Sequence, residues 1–487
     1  MTPNDFMDIR QTLAGIDSAP AHHADRPPNI GDIFSPRGHA TALDPERILV
    51  VGGRGVGKSF WSGVLCNDAT RQHVSQSYPR LKLDLCQVTL GFSGTDTSDL
   101  GPPSREILDD LEEKDQFNSE IIWRAVVLHG LRPWIDLELP KVWRGSAGLV
   151  SWAHADAERL QNTLRAADKR LVERGLRQVI VFDALDRLGG DWPQIQRRSK
   201  ALLRVALPFM AYQAVKLKIF MRIDQAEDQS LFSFPDASKL VGQKVNLTWE
   251  KKDLYGLLFS LLENRTKNSG SFRNLIEACL GRVPNQETSM NLPASLINDE
   301  EHQARVFSKM AGSFMGSNAQ RGKTYTWVYN HLSDTFGSVS PCSFLESLRA
   351  AAITETHLDD KVIDPKGLKK GLQSASILRL NQLREEYGWI QTALEPLADL
   401  RVPCEEIILF ACWKKEKSLA RIQKAAKIEG FLPPVEFDTG GGSDSSLLKA
   451  LLRIGVAEIR PDGRVNIPDI YRVAAKILKK GGVPPPA

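Results

Sequence analysis

The stretch ERILVVGGRGVGKSF, residues 46–60, decides the fold. Ile48, Leu49, Val50 and Val51 form a short apolar run that ends in a glycine-rich turn, and a helical run of residues 60–65 follows. The turn fits G-x-x-x-x-G-K-[ST] through Gly52, Gly57, Lys58 and Ser59. Gly53, Gly55 and Gly57 permit backbone angles that a side chain forbids, so that several N–H groups can converge on one anion. The start of the next helix adds a favourable field for phosphate. Lys58 supplies a mobile cation for the outer phosphates, and the Ser59 hydroxyl is a magnesium ligand. The run Gly52, Gly53, Arg54, Gly55, Val56, Gly57, Lys58, Ser59 and Phe60 is therefore expected to cradle ATP with Mg2+.

Downstream, short apolar runs alternate with longer helical stretches, which implies an α/β domain with a mostly parallel sheet flanked by helices. The strand candidates are 48–52, 81–88, 178–183, 217–222 and 244–249, with helical periodicity over 120–131, 154–174 and 194–213. The third strand carries VIVFDALDR, residues 179–187. It delivers Asp183 at its C-terminal end, where parallel sheets bind ligands, and Asp183 is expected to reach Mg2+. Asp186, three positions on, has two readings. It could act on the attacking water, or it could be an acid at a helix N-terminus paired with Arg187.

The pattern hhhhD-A-L-D-R resembles the second motif of the STAND superclass of signalling ATPases. There a small residue follows the magnesium aspartate and another acid comes three positions on, as in NACHT-type hhhhDGLDE. It also resembles the KAP-type pattern hhhhDDLDR. Many AAA+ proteins place a water-activating glutamate where Ala184 stands. The resemblance implies that Asp186 orients or deprotonates water and that Arg222, ending VKLKIFMR, senses the γ-phosphate; a solvated strand-end charge is the plain alternative. No arginine lies between Arg222 and Lys244, where AAA+ rings carry a trans-acting finger. The resemblance spans roughly residues 35–350. More loosely, it places Pro341 in a lid motif near adenine and the segment IFSPRGHATALDP against the base; Arg321, Lys323 and His331 offer lid cations, with a plain surface loop as the favoured alternative.

The chain has 487 residues, 42% hydrophobic and 25% charged, which suits several globular domains. Its expected organisation is a flexible leader over 1–34, an α/β P-loop NTPase domain over 35–249, a helical lid over 250–400 and a basic winged-helix-like domain over 401–487. That last segment has 15 Lys plus Arg against 10 Asp plus Glu, or +5, while the whole chain carries +4. In it, a helix, a hairpin closed by Pro-Asp-Gly and a final helix from residue 468 suggest the winged helix. Nucleic acid is one expected partner of 401–487, and a protein partner or homo-oligomer in the ATP state is another. Six scattered cysteines without CxxC argue for reduced thiols and a cytoplasmic setting. His22 and His23 could bind metal adventitiously. No apolar run reaches the ~20 residues of a membrane helix, and no nuclease, protease or deaminase constellation stands out. These readings favour a STAND-like ATP switch in a prokaryotic defence or signalling system, with its effector on a partner. The alternative is a DNA-binding AAA+ regulator or loader.

Overall fold

The computed structural model describes residues 1–18, 27–94, 101–281, 292–354, 358–437 and 442–486. His22 and His23 lie outside them. The chain divides into two compact units, Ala21–Thr248 and Met1–Pro20 with Trp249–Ala487.

The first unit is an α/β P-loop fold. Five parallel strands, β1 (Leu49–Gly52), β2 (Cys86–Phe92), β3 (Arg177–Phe182), β4 (Val215–Arg222) and β5 (Val245–Asn246), pair in the order β2-β3-β4-β1-β5. The β4 strand therefore runs between the glycine-turn strand and the aspartate strand, with Gly52 opposite Arg222. Burial on both faces explains the near-continuous apolar runs. Leu217, Ile219 and Met221 join Ile180, Phe182, Trp123 and Leu202 in one core. The helices Ser119–Gly130 and Trp192–Ala206 contribute the last two of these.

Two buried lysines interrupt the apolar pattern of β4. Lys218, 1% exposed, donates from Nζ to the carbonyls of Ala42, Asp44 and Arg47 at 2.8, 2.9 and 2.7 Å. Burial lowers its pKa to about 7, with Asp44 pulling the other way. Lys216 meets Glu46 at 2.6 Å. Both lysines thus tie the segment before β1 to the middle of the sheet. Asp168 performs the same service for the start of β4, accepting from the N–H groups of Gln213, Ala214 and Val215 at 3.1, 2.7 and 2.8 Å.

Several elements differ from their sequence-based bounds, and the fifth strand, expected over 244–249, is only Val245–Asn246. The second strand starts at Cys86 and not at 81, because residues 79–81 and 83–85 make 3-10 turns on either side of Lys82, whose φ is +52°. The stretch 154–174 splits, with one helix Leu149–Ala155 and another, Ala157–Glu173, that takes Asp156 as its N-cap. The stretch 194–213 ends its α-helix at Ala206, since Pro208 cannot continue the ladder and a 3-10 turn takes over.

The second unit is mainly helical and includes the start of the chain. The expected leader is in part the helix Pro3–Ala14, which buries Phe6, Ile9 and Leu13 and is capped by Thr2 and Asp5. Arg10 fastens it by donating to the carbonyls of Val362 and Lys361 at 2.7 and 2.8 Å. The apolar spacing of three and four residues behind a Thr-Pro start is a helix signal that the polar residues after Ala14 obscure.

The stretches 250–400 and 401–487, expected as separate domains, fall in this one unit. Arg401–Val402 pairs in parallel with Leu478–Lys479, and Ser376 accepts from the N–H of Ala474 at 2.9 Å. The helices Glu406–Lys415, Ser418–Glu429 and Asp444–Arg453 precede an antiparallel pair, Glu458–Ile459 with Val465–Asn466, and Cys404 bridges to Val465. The final helix expected from 468 is only one turn, Asp469–Arg472, after which the chain turns again over 473–476 and reaches the short strand Leu478–Lys479. No helix among the described residues is long and apolar enough to cross a membrane.

Candidate functional site

The glycine turn leaves β1 at Gly52 and enters the helix Lys58–Cys66. Gly55 (φ +74°) and Gly57 (φ +100°) adopt the left-handed region that favours glycine. Gly57 caps the helix without a side-chain bond, so the first-turn N–H groups face outward from the helix end. Gly52 is needed for a different reason. A Cβ there would lie 2.7 Å from the Cγ2 of Val56, the loop's buried side chain. Gly53 corrects the expectation, because its φ is ordinary and a Cβ would meet only van der Waals contacts at 3.7 and 3.8 Å. Lys58 curls over the turn, its Nζ 2.9 Å from the Gly52 carbonyl and 2.8 Å from that of Gly53.

The structure brings the aspartate strand to this turn. Asp183 is 4% exposed, and the Ser59 hydroxyl and the Ala184 amide both act on its carboxylate. Burial pushes its pKa up from the usual carboxylate range. The Ser59 and Ala184 hydrogen bonds and the Lys58 charge pull it back, while Asp186 raises it further. Asp183 and Ser59 thus form an adjacent pair of hard oxygen donors in a buried place, beside an ammonium.

After Asp183 the chain reverses sharply. Ala184 takes φ +56° and ψ +41°, and Leu185–Arg187 form one 3-10 turn. The backbone gives a reason for a small residue at 184, since left-handed angles disfavour bulky side chains. The helix that follows begins only at Trp192 and takes Asp191 as its cap, 2.7 Å from the N–H of Gln194. Asp186 is not that helix's cap, and its charged partner is Arg222, not Arg187, with Nη1 to Oδ2 at 3.7 Å.

Arg222 ends the strand between the two motifs, so the sheet order itself sets it beside both. It is 8% exposed and holds Asp224 through two N–H bonds, Nε to Oδ1 at 2.9 Å and Nη2 to Oδ2 at 2.8 Å. Asp224 went unnoticed in the sequence, and an acid two positions after a strand-end arginine was its one signal.

The turn bearing Asp186 is clamped from behind. Arg198, 1% exposed, donates to the Leu188 carbonyl at 2.5 Å and to Glu112 at 3.0 and 3.1 Å. On the other flank, the segment expected against a base seats His39 on the glycine-turn helix. The Trp61 indole N–H donates to His39 Nδ1 at 3.1 Å, and His39 Nε2 lies 2.9 Å from the Thr248 carbonyl. An accepting Nδ1 puts the proton on Nε2, and burial lowers the His39 pKa to about 4.

The other expected residues belong to the helical unit. Pro341 is the first residue of the helix Pro341–Ile353, and Lys323 precedes the helix Thr324–Leu332. Arg321 ends a 3-10 turn, and His331 stacks on Trp327. Among the described residues no group of three or more His, Cys, Asp or Glu is arranged to hold a metal.

No family model and no curated protein matches the chain. Solved structures similar to it include the ORC2 protein of Aeropyrum pernix in ADPNP–ADP complexes, at 11% identity and TM-score 0.37, and Cdc6p of Pyrobaculum aerophilum, at 13% and 0.28. The alignments cover 92% of this chain and 94% of the first, and 94% of both for the second. Likeness at those scores carries no weight for fold or function, which rest here on the sheet order and the site.

Proposed function

We propose that the protein binds ATP with Mg2+ and hydrolyses it as a STAND-like switch. The carrying observation is that the Ser59 hydroxyl and the Lys58 charge both act on the buried carboxylate of Asp183, which joins two motifs more than a hundred residues apart. The donor set suits magnesium, a hard cation that keeps several waters and needs only one or two protein oxygens. A buried carboxylate whose charged form is disfavoured gains most from such a cation. When bound, Mg2+ would neutralise charge on the outer phosphates. The chain's own residues do the rest. The amides of residues 54–60 cradle phosphate, Lys58 leaves the loop carbonyls for phosphate oxygens, Asp186 orients or deprotonates water, and Arg222 senses the third phosphate.

Titration calorimetry with ATP and Mg2+, paired with turnover of wild type, Lys58→Ala and Asp186→Ala, tests this reading. Binding should be lost in Lys58→Ala and kept in Asp186→Ala, with hydrolysis lost in both. A wild type that binds without hydrolysing would reduce the protein to a nucleotide-dependent scaffold. Mass measurement with and without ATP tests assembly in the triphosphate state, and a signalling or defence effector would sit on a partner.

The second reading, a DNA-binding AAA+ regulator, draws on the exposed Lys415, Lys417, Arg421, Lys424 and Lys427 around the helix Ser418–Glu429. The winged-helix reading makes Asp444–Arg453 the base-reading helix. There Arg453 is paired with Glu436 at 2.6 Å, which leaves Lys449 as its exposed cation. This pairing supports backbone contact over base readout. Salt-sensitive duplex binding that disappears in Lys424→Glu/Lys427→Glu would favour the regulator.

A further inference from the structure

The bidentate pair of Arg222 and Asp224 is buried inside the site, and the roles assigned above leave Asp224 without one. A guanidinium has donors on three nitrogens in a rigid fork. Asp224 takes two of them, Nε and Nη2, at 2.9 and 2.8 Å, and the third, Nη1, is the nitrogen that lies 3.7 Å from Asp186. The chain geometry makes the pair local. Arg222 is extended (φ −78°, ψ 155°), and the short helix Ile223–Ala226 turns the backbone so that the carboxylate two residues on returns to the same guanidinium. Residue 224 is 7% exposed, so neither charge has ready access to water if its partner goes.

We propose that Asp224 is the positioning residue of the arginine sensor. It fixes the fork so that Nη1 lies on the side of Asp186 and an incoming third phosphate. A carboxylate on Nε and Nη2 also keeps Arg222 from closing its full fork on Asp186, which leaves that acid able to accept a proton from water. The inference rests on the nucleotide reading above, and it concerns discrimination between tri- and diphosphate, not binding as such.

The test uses the full chain with Asp224→Asn, Asp224→Glu, Arg222→Ala and the double variant Asp224→Asn/Arg222→Ala. Affinities for ADP and for a non-hydrolysable ATP analogue are measured beside kcat and KM. Asp224→Asn should weaken the analogue about tenfold and lower kcat comparably, with ADP affinity within about twofold of wild type. Asp224→Glu keeps the charge but displaces the fork, so it should show the same split, and it decides the matter if the asparagine variant fails to fold. The double variant should be no worse than Arg222→Ala, because a positioning residue has nothing left to position. Unchanged discrimination in both Asp224 variants, equal loss of ADP and analogue, or an Asp224→Asn effect that persists without Arg222 would overturn the proposal. Wild type binding neither nucleotide would instead remove the nucleotide reading and take this inference with it.

Discussion

The two units bury their difficult groups in different ways. In the α/β unit the demanding residues are charges gathered near the C-terminal ends of the central strands: Asp183, Arg222 and Asp224, each met by named partners. In the helical unit the most demanding contact is between two backbones. The helices Pro341–Ile353 and Pro365–Glu386 approach so closely at Gly371 that a Cβ there would lie 1.9 Å from the Ser347 carbonyl oxygen. Gly367, one turn earlier, would bring its Cβ to 2.9 Å from the Ala351 carbonyl oxygen. Beside this crossing, Tyr255 stacks on Tyr325 and meets Phe307 and Phe344 edge-on. The α/β unit gathers its buried charges at one site, whereas the helical unit, which also buries pairs such as Arg472 with Asp469, has its tightest fit at this crossing, so the two sites should fail under different substitutions.

Asp183→Asn should expose that difference most strongly. Turnover should fall by about a hundredfold to a thousandfold, the range seen when a key electrostatic group is removed from a catalytic site. The ligand-free protein should nevertheless become more stable at neutral pH. Burial raises the folded pKa of Asp183 above its unfolded value, so its contribution is fullest below that unfolded value and is lost as pH rises through the folded one. The amide cannot ionise and lacks this slope. Thermal melts from acid to neutral pH check it, and an asparagine variant less stable than wild type at pH 7 would contradict the account.

Gly371→Ala is the matching lesion in the helical unit. A methyl with no room forces the helices apart at a cost of about 3 kcal/mol, the upper end for overpacking. Gly242→Ala is the control, since its Cβ would meet nothing within 4 Å. Urea midpoints should fall for the first and barely move for the second. Equal effects would mean that the close crossing does not limit stability.

An intermediate effect belongs to His39, a buried titratable group whose neutral form the α/β unit requires. Its folded pKa of about 4 lies below the unfolded value of 6.5. Stability is therefore complete above pH 6.5 and declines as pH falls toward 4, by about 2 kcal/mol at pH 5. Protonation removes the lone pair on Nδ1 that accepts from Trp61, which gives the loss a structural cause. His39→Gln should flatten that part of the pH profile. A wild-type profile already flat between pH 7 and 5 would remove His39 from the account.

The sequence revealed the α/β unit better than the helical one for a physical reason. Lys58, Ser59 and Asp183 sit in local patterns whose chemistry requires those residue types at those spacings, so they could be read without knowing what lies across the fold. Arg222 was legible as a strand end, while its grip on Asp224 depends on how the chain turns after β4. Gly371 resembles any glycine in a helical stretch, because the carbonyl that excludes a side chain lies on another helix. The same blindness applies to Lys218, whose charge looks like an interruption of a strand until three carbonyls from the segment before β1 surround it. Patterns carry chemistry along the chain; contacts across it have no such mark.

Ala184 joins the two kinds of information and gives the smallest, sharpest prediction. Its left-handed backbone costs an alanine roughly 1–2 kcal/mol relative to glycine. Glycine would remove that strain but lose about 0.5–1 kcal/mol through the freer unfolded chain. Ala184→Gly should therefore be neutral to slightly stabilising, with hydrolysis retained, because Asp186 keeps its turn. Ala184→Val adds a β-branched side chain at the same angles and should cost about 2 kcal/mol. It should also slow turnover more than it weakens nucleotide binding, since the change shifts Asp186 and spares the glycine turn. Chemical denaturation and single-turnover kinetics on both variants separate the terms. Should valine be tolerated with full activity, the reversal after Asp183 cannot be what holds Asp186 against Arg222.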